Sequence, residues 1–507
     1  MHVRWLAPPS GYTRAPPGDL MMHTAWHRLP TGESAPRCPE GKGAIHTLNP
    51  TLLHALNDDL DQLATTVDAL LQSASAEQPI NLHASRKPTV LVLGASFAGL
   101  ETAQKIRRYA GNRVDITVID QKPYLLFVPN MLTEVLGNRD PASTLHMPVE
   151  RALVKDGMHF LLAEVYEIDV ERNCIRVLPI ERPGARAQTL AYDYLVIALG
   201  CRLAYDVIPG FSRYGYTITD TFHANRLRRF LHQDYRGGPI LMGSARFHQG
   251  HALENWIPTA YAPCEGPIVE AMFTMGEWVK GSGKGKPNIT YFTPDTTFAV
   301  DAGPKIAKKL VQMAGQKGYR YLSNIGDVAG VTRDGVLFAD GRQVEAELAL
   351  IMPDWVPHPF LKEIPVCDDR GFVVTDSSMR NPRYPNVMTV GDAAAATVPK
   401  LGYLGHLQSD VVAWQIARDA GVKPPGGKAP QYQPLIDCVG VMGAVMGFFL
   451  RTDAWYGGSV EIMKAGPVPH LLKEMYKTAF FMMKGKVPNW SVGVANFMAN
   501  HLSLNML

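Results

Sequence analysis

The apolar positions change period several times along the chain, and each change marks a different element. Over residues 52–71 they fall at Leu52, Leu56, Leu60, Leu63, Val67 and Leu70, the spacing of one amphipathic helix. At Pro88-Thr-Val-Leu-Val-Leu-Gly94 the pattern becomes a short continuous apolar run. Such a run reads as a strand of a parallel sheet, buried on both faces. A glycine-rich turn follows, then a helix over 100–109 and a second strand over 115–119. Further apolar runs at 194–198, 239–242, 289–292 and 348–352 repeat the alternation. The expected fold class is α/β, with two Rossmann-like dinucleotide-binding domains.

Length and composition narrow the picture. A chain of 507 residues exceeds the roughly 250–300 residues at which single cores stop growing. Its 50 basic and 47 acidic residues leave a net charge of +3, with no basic block interleaved with aromatics, which argues against nucleic acid as a partner. Residues 1–50 are rich in Pro, Gly and His without a period and read as poorly ordered. Pro8, Pro9, Pro16 and Pro17 break up any signal-peptide core there. No apolar stretch reaches the roughly 18 residues that span a bilayer. The six cysteines, Cys38, Cys174, Cys201, Cys264, Cys367 and Cys438, are scattered without a CxxC pair, so neither a disulfide scaffold nor a metal site is expected.

The turn Gly94-Ala95-Ser96-Phe97-Ala98-Gly99 stands where a GxGxxG fingerprint belongs, with serine at the middle glycine. Gly94 permits the tight turn, and Gly99 lets the helix pack on the strand. The helix amino terminus offers unpaired N–H groups to a pyrophosphate. Asp120, followed by Gln121, ends the second strand, where a carboxylate suits ribose hydroxyls. An acid rather than a basic residue there argues against a 2′-phosphate.

Two later segments select FAD. Asp193-Tyr-Leu-Val-Ile-Ala-Leu-Gly200 resembles the strand and small-residue turn of flavoproteins with two dinucleotide domains. Asn386-Val-Met-Thr-Val-Gly391-Asp392-Ala resembles their late Gly-Asp motif. In those proteins that aspartate bonds the ribityl chain. The loop Tyr124-Leu-Leu-Phe-Val-Pro129 carries no Cys or His, which favours noncovalent FAD.

Three more segments resemble the sulfide:quinone oxidoreductase family, over about residues 88–490. Ala262-Pro-Cys264-Glu-Gly-Pro is similar to the segment holding one redox cysteine, and Pro365-Val-Cys367-Asp-Asp to that holding another. Pro399-Lys400-Leu-Gly-Tyr403 is similar to a stretch near flavin and quinone. The resemblance implies Cys264, Cys367 and Lys400 as catalytic residues. The implied reaction oxidises sulfide to sulfane sulfur, with electrons leaving through FAD to a membrane quinone. Where some members carry a third cysteine, this chain has Tyr216-Thr-Ile-Thr-Asp-Thr-Phe-His223, which implies a two-cysteine subtype. Cys38, Cys174, Cys201 and Cys438 read as small buried hydrophobes.

The expected organisation is an amino-terminal extension (1–87), a first part of the FAD domain (88–205), a second Rossmann-like domain (206–370), the rest of the FAD domain (371–425) and a carboxyl-terminal segment (426–507). The second glycine turn, Gly243-Ser-Ala-Arg-Phe-His-Gln-Gly250, has bulky residues where a nicotinamide site wants glycines. That counts against the alternative of a type II NADH:quinone dehydrogenase; a non-catalytic flavin-bearing binding protein is the alternative from another class. A flavocytochrome-type sulfide dehydrogenase would differ in its electron acceptor. Met442, Met446, Phe448 and Phe449, then Leu471, Leu472, Met475, Phe480 and Phe481 among Lys473, Lys477, Lys484 and Lys486, suit a helical segment lying in a bilayer interface. The expected location is therefore peripheral on the cytoplasmic membrane. A dimer (homo-oligomer) interface or a core helix is the other use for these apolar faces.

Overall fold

The apolar run Thr89–Leu93 is buried throughout because its two sides enter different cores. Val90 and Val92 pack into one cluster, Leu91 and Leu93 into another. The computed structural model describes residues 87–181, 184–250, 257–487 and 489–501; the helix read over 52–71 and the extension around it lie outside them. In chain order the first group of elements is β1 (Thr89–Leu93), α1 (Phe97–Ala110), β2 (Asp115–Asp120), β3 (His159–Asp169), β4 (Cys174–Pro179), β5 (Gln188–Ala191) and β6 (Tyr194–Ile197). The second group is β7 (Gly215–Tyr216), β8 (Ile240–Ser244), α2 (Gly266–Gly281), β9 (Ile289–Phe292), α3 (Pro304–Gln316), β10 (Arg320–Leu322) and β11 (Leu348–Met352). Then come β12 (Val387–Thr389), α4 (Gly402–Asp419), β13 (Ile436–Val441), β14 (Gly447–Thr452), β15 (Glu461–Gly466) and α5 (Pro467–Met482).

These strands form a seven-stranded sheet in the order β12-β6-β1-β2-β3-β4-β5 and a five-stranded sheet in the order β7-β11-β8-β9-β10. The five-stranded sheet is parallel throughout. In the larger sheet β12, β6, β1, β2 and β3 run parallel, whereas β3, β4 and β5 pair antiparallel. Register brings the functional edge together: Leu93 pairs with both Ile119 and Ile197, and Ile197 pairs with Thr389. The Gly94 turn, Asp120, Gly200 and Gly391 therefore all emerge at the carboxyl ends of neighbouring strands, the edge where open α/β sheets bind ligands.

The carboxyl-terminal segment departs from the expectation of an interfacial helix. Its first apolar cluster is a three-stranded antiparallel sheet, β13-β14-β15, in which Cys438 pairs with Leu450 and Gly440 with Phe448. Phe448 and Phe449 are both 1% exposed. Glycines at 440, 443 and 447 weaken a helix there, and a two-residue period wins. The second cluster is helical as α5, and two of its lysines are paired with carboxylates of the protein. Lys473, 5% exposed, pairs with Glu270 at 2.5 Å, and Lys477 pairs with Glu134 at 2.6 Å. The ring of Phe480 packs 5.5 Å from that of Phe97 and 5.2 Å from that of Phe127, so α5 belongs to the core around the first glycine turn. Its other side leaves Leu471, Met475 and Met482 exposed.

Candidate active site

The first turn is built so that little but glycine fits at its ends. Gly94 sits at φ +104°, and a Cβ there would lie 2.2 Å from the Ala198 carbonyl oxygen. A Cβ on Gly99 would lie 2.0 Å from the Gly94 oxygen. These contacts press α1 against β1 and β6. Ser96 occupies the cap position of α1 without a capping side-chain bond, and the first turn carries no acid. Its N–H groups are left for a ligand. Asp120 accepts from the N–H of Ala95 at 2.7 Å and of Lys122 at 2.8 Å, one bond per oxygen. A carboxylate has about four acceptor positions, so both oxygens keep room for ribose hydroxyls. Gln121 is exposed beside it.

In front of this turn opens a cavity of about 620 Å³. Ser96, Phe97 and Ala98 form one wall, with Gly200, Gly391 and Asp392 beside them. Gly200 has φ +64° and open space where a Cβ would point. Uncapped N–H groups, a small-residue wall and a carboxylate next to the late glycine together fit a flavin dinucleotide. Burial raises the Asp392 carboxyl above the usual range, opposed by the charge of Lys400.

The chemistry-bearing residues line the same cavity. Lys400, 7% exposed, follows the cis Val398–Pro399 bond. Its backbone N–H donates to the Pro263 carbonyl at 2.7 Å, which ties it to the segment leading into Cys264. Its ammonium donates to the Asp392 carbonyl at 2.8 Å and stands 4.3 Å from the centre of the Phe372 ring. Burial lowers its pKa, while Cys201, Asp392 and nearby carboxylates hold it up. Cys264 is 8% exposed and lines the cavity. Burial pushes its thiol well up, with Asp301 adding to the rise; the Gly266 N–H at the start of α2 works against both. Asp301, also on the cavity wall, is itself raised to about 6, first by burial and then by Asp295.

The structure therefore brings together Cys264, Lys400, Asp392, Gly391, Gly200 and the Ser96–Ala98 wall, with Gly94, Ala95 and Gly99 directly behind. Cys367 is not among the described residues that line the cavity. It bridges to Val373 and packs with Leu361, Ile364 and Val366, in the cluster that takes Leu91 and Leu93; burial raises its thiol to about 12. Two cysteines read from the sequence as inert fillers do line the cavity. Cys201 donates to the Asp392 carbonyl at 3.1 Å, and Cys438 lies on β13 facing the start of α2. No motif marks Cys438, because only the folding of β13 across α2 carries it there. Among the described residues no cluster of His, Cys, Asp and Glu could hold a metal ion.

The second sheet offers a different edge. A Cβ on Gly243, at the end of β8, would meet the Phe292 oxygen at 2.4 Å, so this glycine serves strand packing against β9. Among the described residues no helix starts just behind it; the next one, α2, begins at Gly266, directly after Cys264.

Residues 88–234 match the pyridine nucleotide-disulphide oxidoreductase family model. The chain is similar to the mitochondrial sulfide:quinone oxidoreductase of Mus musculus, at 23% identity over 350 residues, covering 66% of this chain and 73% of that protein. It is also similar to the type II NADH:quinone oxidoreductase of Staphylococcus saprophyticus, at 29% identity over 153 residues, which span 30% of this chain and 36% of that protein. Among solved structures, the sulfide:quinone oxidoreductase of the hyperthermophilic bacterium Aquifex aeolicus superposes with a TM-score of 0.67 at 22% identity, covering 81% of this chain and 95% of that one. With the cradle described above, these likenesses make the chain a flavin-dependent oxidoreductase related to the sulfide:quinone oxidoreductases and built on their fold.

Proposed function

We propose that this protein oxidises sulfide to sulfane sulfur or polysulfide and passes the electrons through noncovalently held FAD to a membrane quinone. The observation that carries this reading is the placement of the Cys264 thiol in one cavity with the first glycine turn, Asp392 and Lys400. When bound, FAD supplies a two-electron acceptor. The protein's own groups do the rest. The α1 amino terminus and Asp120 would hold the dinucleotide, Asp392 would bind its sugar chain, and Lys400 contributes positive charge to the cavity. Cys264, at the amino terminus of α2, would hold the sulfur as a persulfide, a change that requires two electrons and two protons to leave for the flavin-class acceptor. Cys367, the second thiol implied by the family resemblance, would have to act from outside the cavity wall.

The membrane part of the proposal rests on α5. Leu471, Met475 and Met482 project from one side of that helix and suit a peripheral, monotopic attachment on the cytoplasmic membrane surface. Among the described residues no helix is long and apolar enough to cross a membrane.

Anaerobic stopped-flow spectroscopy of the flavin tests the function. Sulfide is expected to bleach the flavin absorbance rapidly, and subsequent addition of a short-chain quinone to restore it; NADH is expected to leave it unchanged. The type II NADH:quinone reading has the Staphylococcus likeness in its favour. Bleaching by NADH and not by sulfide would establish it instead.

A further inference from the structure

Helices α1 and α4 pack along one another and enclose a group of charged side chains that the chemistry above does not use. Glu101 and Lys105, one turn apart on α1, are both buried, and residues of that kind are seldom buried without partners. His406 and Asp410, one turn apart on α4, supply them. Glu101 Oε1 meets His406 Nδ1 at 2.5 Å and Lys105 Nζ at 3.2 Å. Lys105 Nζ also meets Asp410 Oδ2 at 3.0 Å and donates to the His406 carbonyl at 2.9 Å. The group reaches in two directions. Glu101 and His406 line the cavity, whereas the Asp410 side chain is 40% exposed. We propose that Asp410, Lys105, Glu101 and His406 form a relay that carries protons from the protein surface to a quinone bound in the cavity. The relay rests on the quinone part of the function proposed above and is independent of what first reduces the flavin.

Two carboxylates here face one ammonium and one imidazole. With the imidazole neutral the group carries a single net negative charge, which one added proton cancels. It can therefore take up and give back a proton without leaving a buried charge unopposed. Three phenols surround it. Tyr109 of α1 donates to Asp410 Oδ1 at 2.9 Å, the ring of Tyr403 of α4 stacks 5.5 Å from that of His406, and Tyr476 approaches Glu101 from α5. Burial raises all three phenols above their ordinary value, so they stay protonated and leave the exchangeable proton to the relay. The next charges out, Asp437 and Arg451 beside Tyr403, are paired with each other at 2.5 Å. A quinone becomes the quinol by gaining two electrons and two protons. The electron pair and one proton come from the anionic reduced flavin, which is oxidised in the exchange. The remaining proton leaves Glu101 or His406 for a quinone oxygen, Lys105 passes on its replacement, and Asp410 recharges Lys105 from water.

The test uses the full chain with flavin bound, reduced anaerobically by light and a deazaflavin sensitiser, so that neither sulfide nor NADH is needed. The reduced protein is mixed with a short-chain quinone. Flavin absorbance reports reoxidation, and a pH-indicator dye in weak buffer reports proton uptake. In Glu101→Gln the reoxidation rate at pH 8 is expected to fall on the order of 10²-fold, the scale on which a positioned proton donor contributes. Asp410→Asn changes only the solvent end, so flavin content should hold while reoxidation and proton uptake slow together by about tenfold at pH 8. The defect should shrink at pH 6, where protons are more abundant. Imidazole or azide, small enough to carry protons to Lys105, is expected to restore the Asp410→Asn rate and to leave the wild type unchanged. An ion-pair clamp between α1 and α4 would show no such rescue. Wild-type reoxidation rates in both variants, or an Asp410→Asn defect that is equal at pH 6 and 8 and that neither small molecule relieves, would overturn the relay. A wild-type flavin that the quinone fails to reoxidise would overturn the quinone reading, and the relay with it. If the variants behave as expected while sulfide fails to bleach the wild-type flavin, the relay stands and the sulfide reading falls.

Discussion

The two parallel sheets end in glycines that do opposite jobs. Behind β1 the chain turns at once into α1, and Gly94 and Gly99 let helix and strand touch. The helix terminus thereby keeps N–H groups free of a side-chain cap. Behind β8 the glycine packs on Phe292, the helix is postponed to Gly266, and its amino terminus points at a cysteine. One unit presents N–H groups to an anion; the other presents them to a thiol. Under the proposed function, the same strand–helix–strand geometry would serve the cofactor from one sheet and the thiol from the other.

The largest expected effect comes from the first glycine. Gly94→Ala combines a left-handed φ with a Cβ 2.2 Å from a carbonyl. Strain of that kind costs on the order of 1–3 kcal/mol before the clash is counted. The variant is expected to lose bound flavin and with it every flavin-dependent activity, read as the ratio of flavin to protein absorbance. Full flavin occupancy in Gly94→Ala would detach the first unit from cofactor binding.

Cys264→Ser tests the second unit. The serine is nearly isosteric and lies outside the glycine turn and its acid, so flavin content should hold. Sulfide-driven bleaching should fall by on the order of 10²-fold or more, the scale on which groups acting at the reacting atoms are felt. A hydroxyl forms neither a persulfide nor a disulfide. Bleaching at the wild-type rate would leave α2 with no chemistry at its amino terminus.

Gly243→Ala sharpens the contrast at smaller cost. Its Cβ meets the Phe292 oxygen at 2.4 Å, so β8 or β9 must shift, and overpacking of this kind costs about 1–3 kcal/mol. The expected result is a midpoint of thermal unfolding lowered by several degrees, on the order that such an energy produces, with flavin occupancy unchanged. Loss of flavin alongside stability would show that the second glycine turn also serves the cofactor.

These contrasts explain which parts of the site were legible in the sequence. The turn 94–99 and Asp120 are local: strand, turn and acid lie within one βαβ unit, and the backbone geometry they need is written in residue type. Gly200, Gly391 and Asp392 were legible because each follows a short apolar strand that pairs beside β1. The meeting of Cys264 with Cys438 was not legible, since nothing near either residue specifies that β13 crosses α2. The lysines of α5 misled for a related reason. Sequence shows that Lys473 and Lys477 are charged, but not that Glu270 and Glu134 are buried opposite them. The Met- and Phe-rich stretch around Phe448 carries apolar character without a helical period, and its glycines decide for strands.

The smallest expected effect concerns the carboxyls of the second unit. In the first unit Asp120 is satisfied by two backbone N–H groups; in the second, Glu265, Asp295 and Asp301 crowd together behind Cys264, and burial raises all three. Asp301 is the member that faces the cavity, raised to about 6 from an ordinary value of 3.8. A raised acid favours its protonated form in the folded state. Its contribution to stability is therefore complete below about pH 4 and is lost as pH rises through about 6. The loss is at most about 3 kcal/mol by linkage, and less in practice because Asp301 keeps partial exposure to the cavity. Asp301→Asn removes the titration while keeping the shape. Urea unfolding between pH 4 and 7 is expected to show stability that falls less steeply in the variant than in the wild type. Above pH 6 the ionised Asp301 also adds negative charge beside Cys264, which disfavours the thiolate, so Asp301→Asn should alkylate faster at Cys264 with iodoacetamide at pH 8. Equal alkylation rates and parallel stability profiles would show that Asp301 does not sense the thiol. The second unit's carboxyl cluster would then be packing alone, without influence on the sulfur it surrounds.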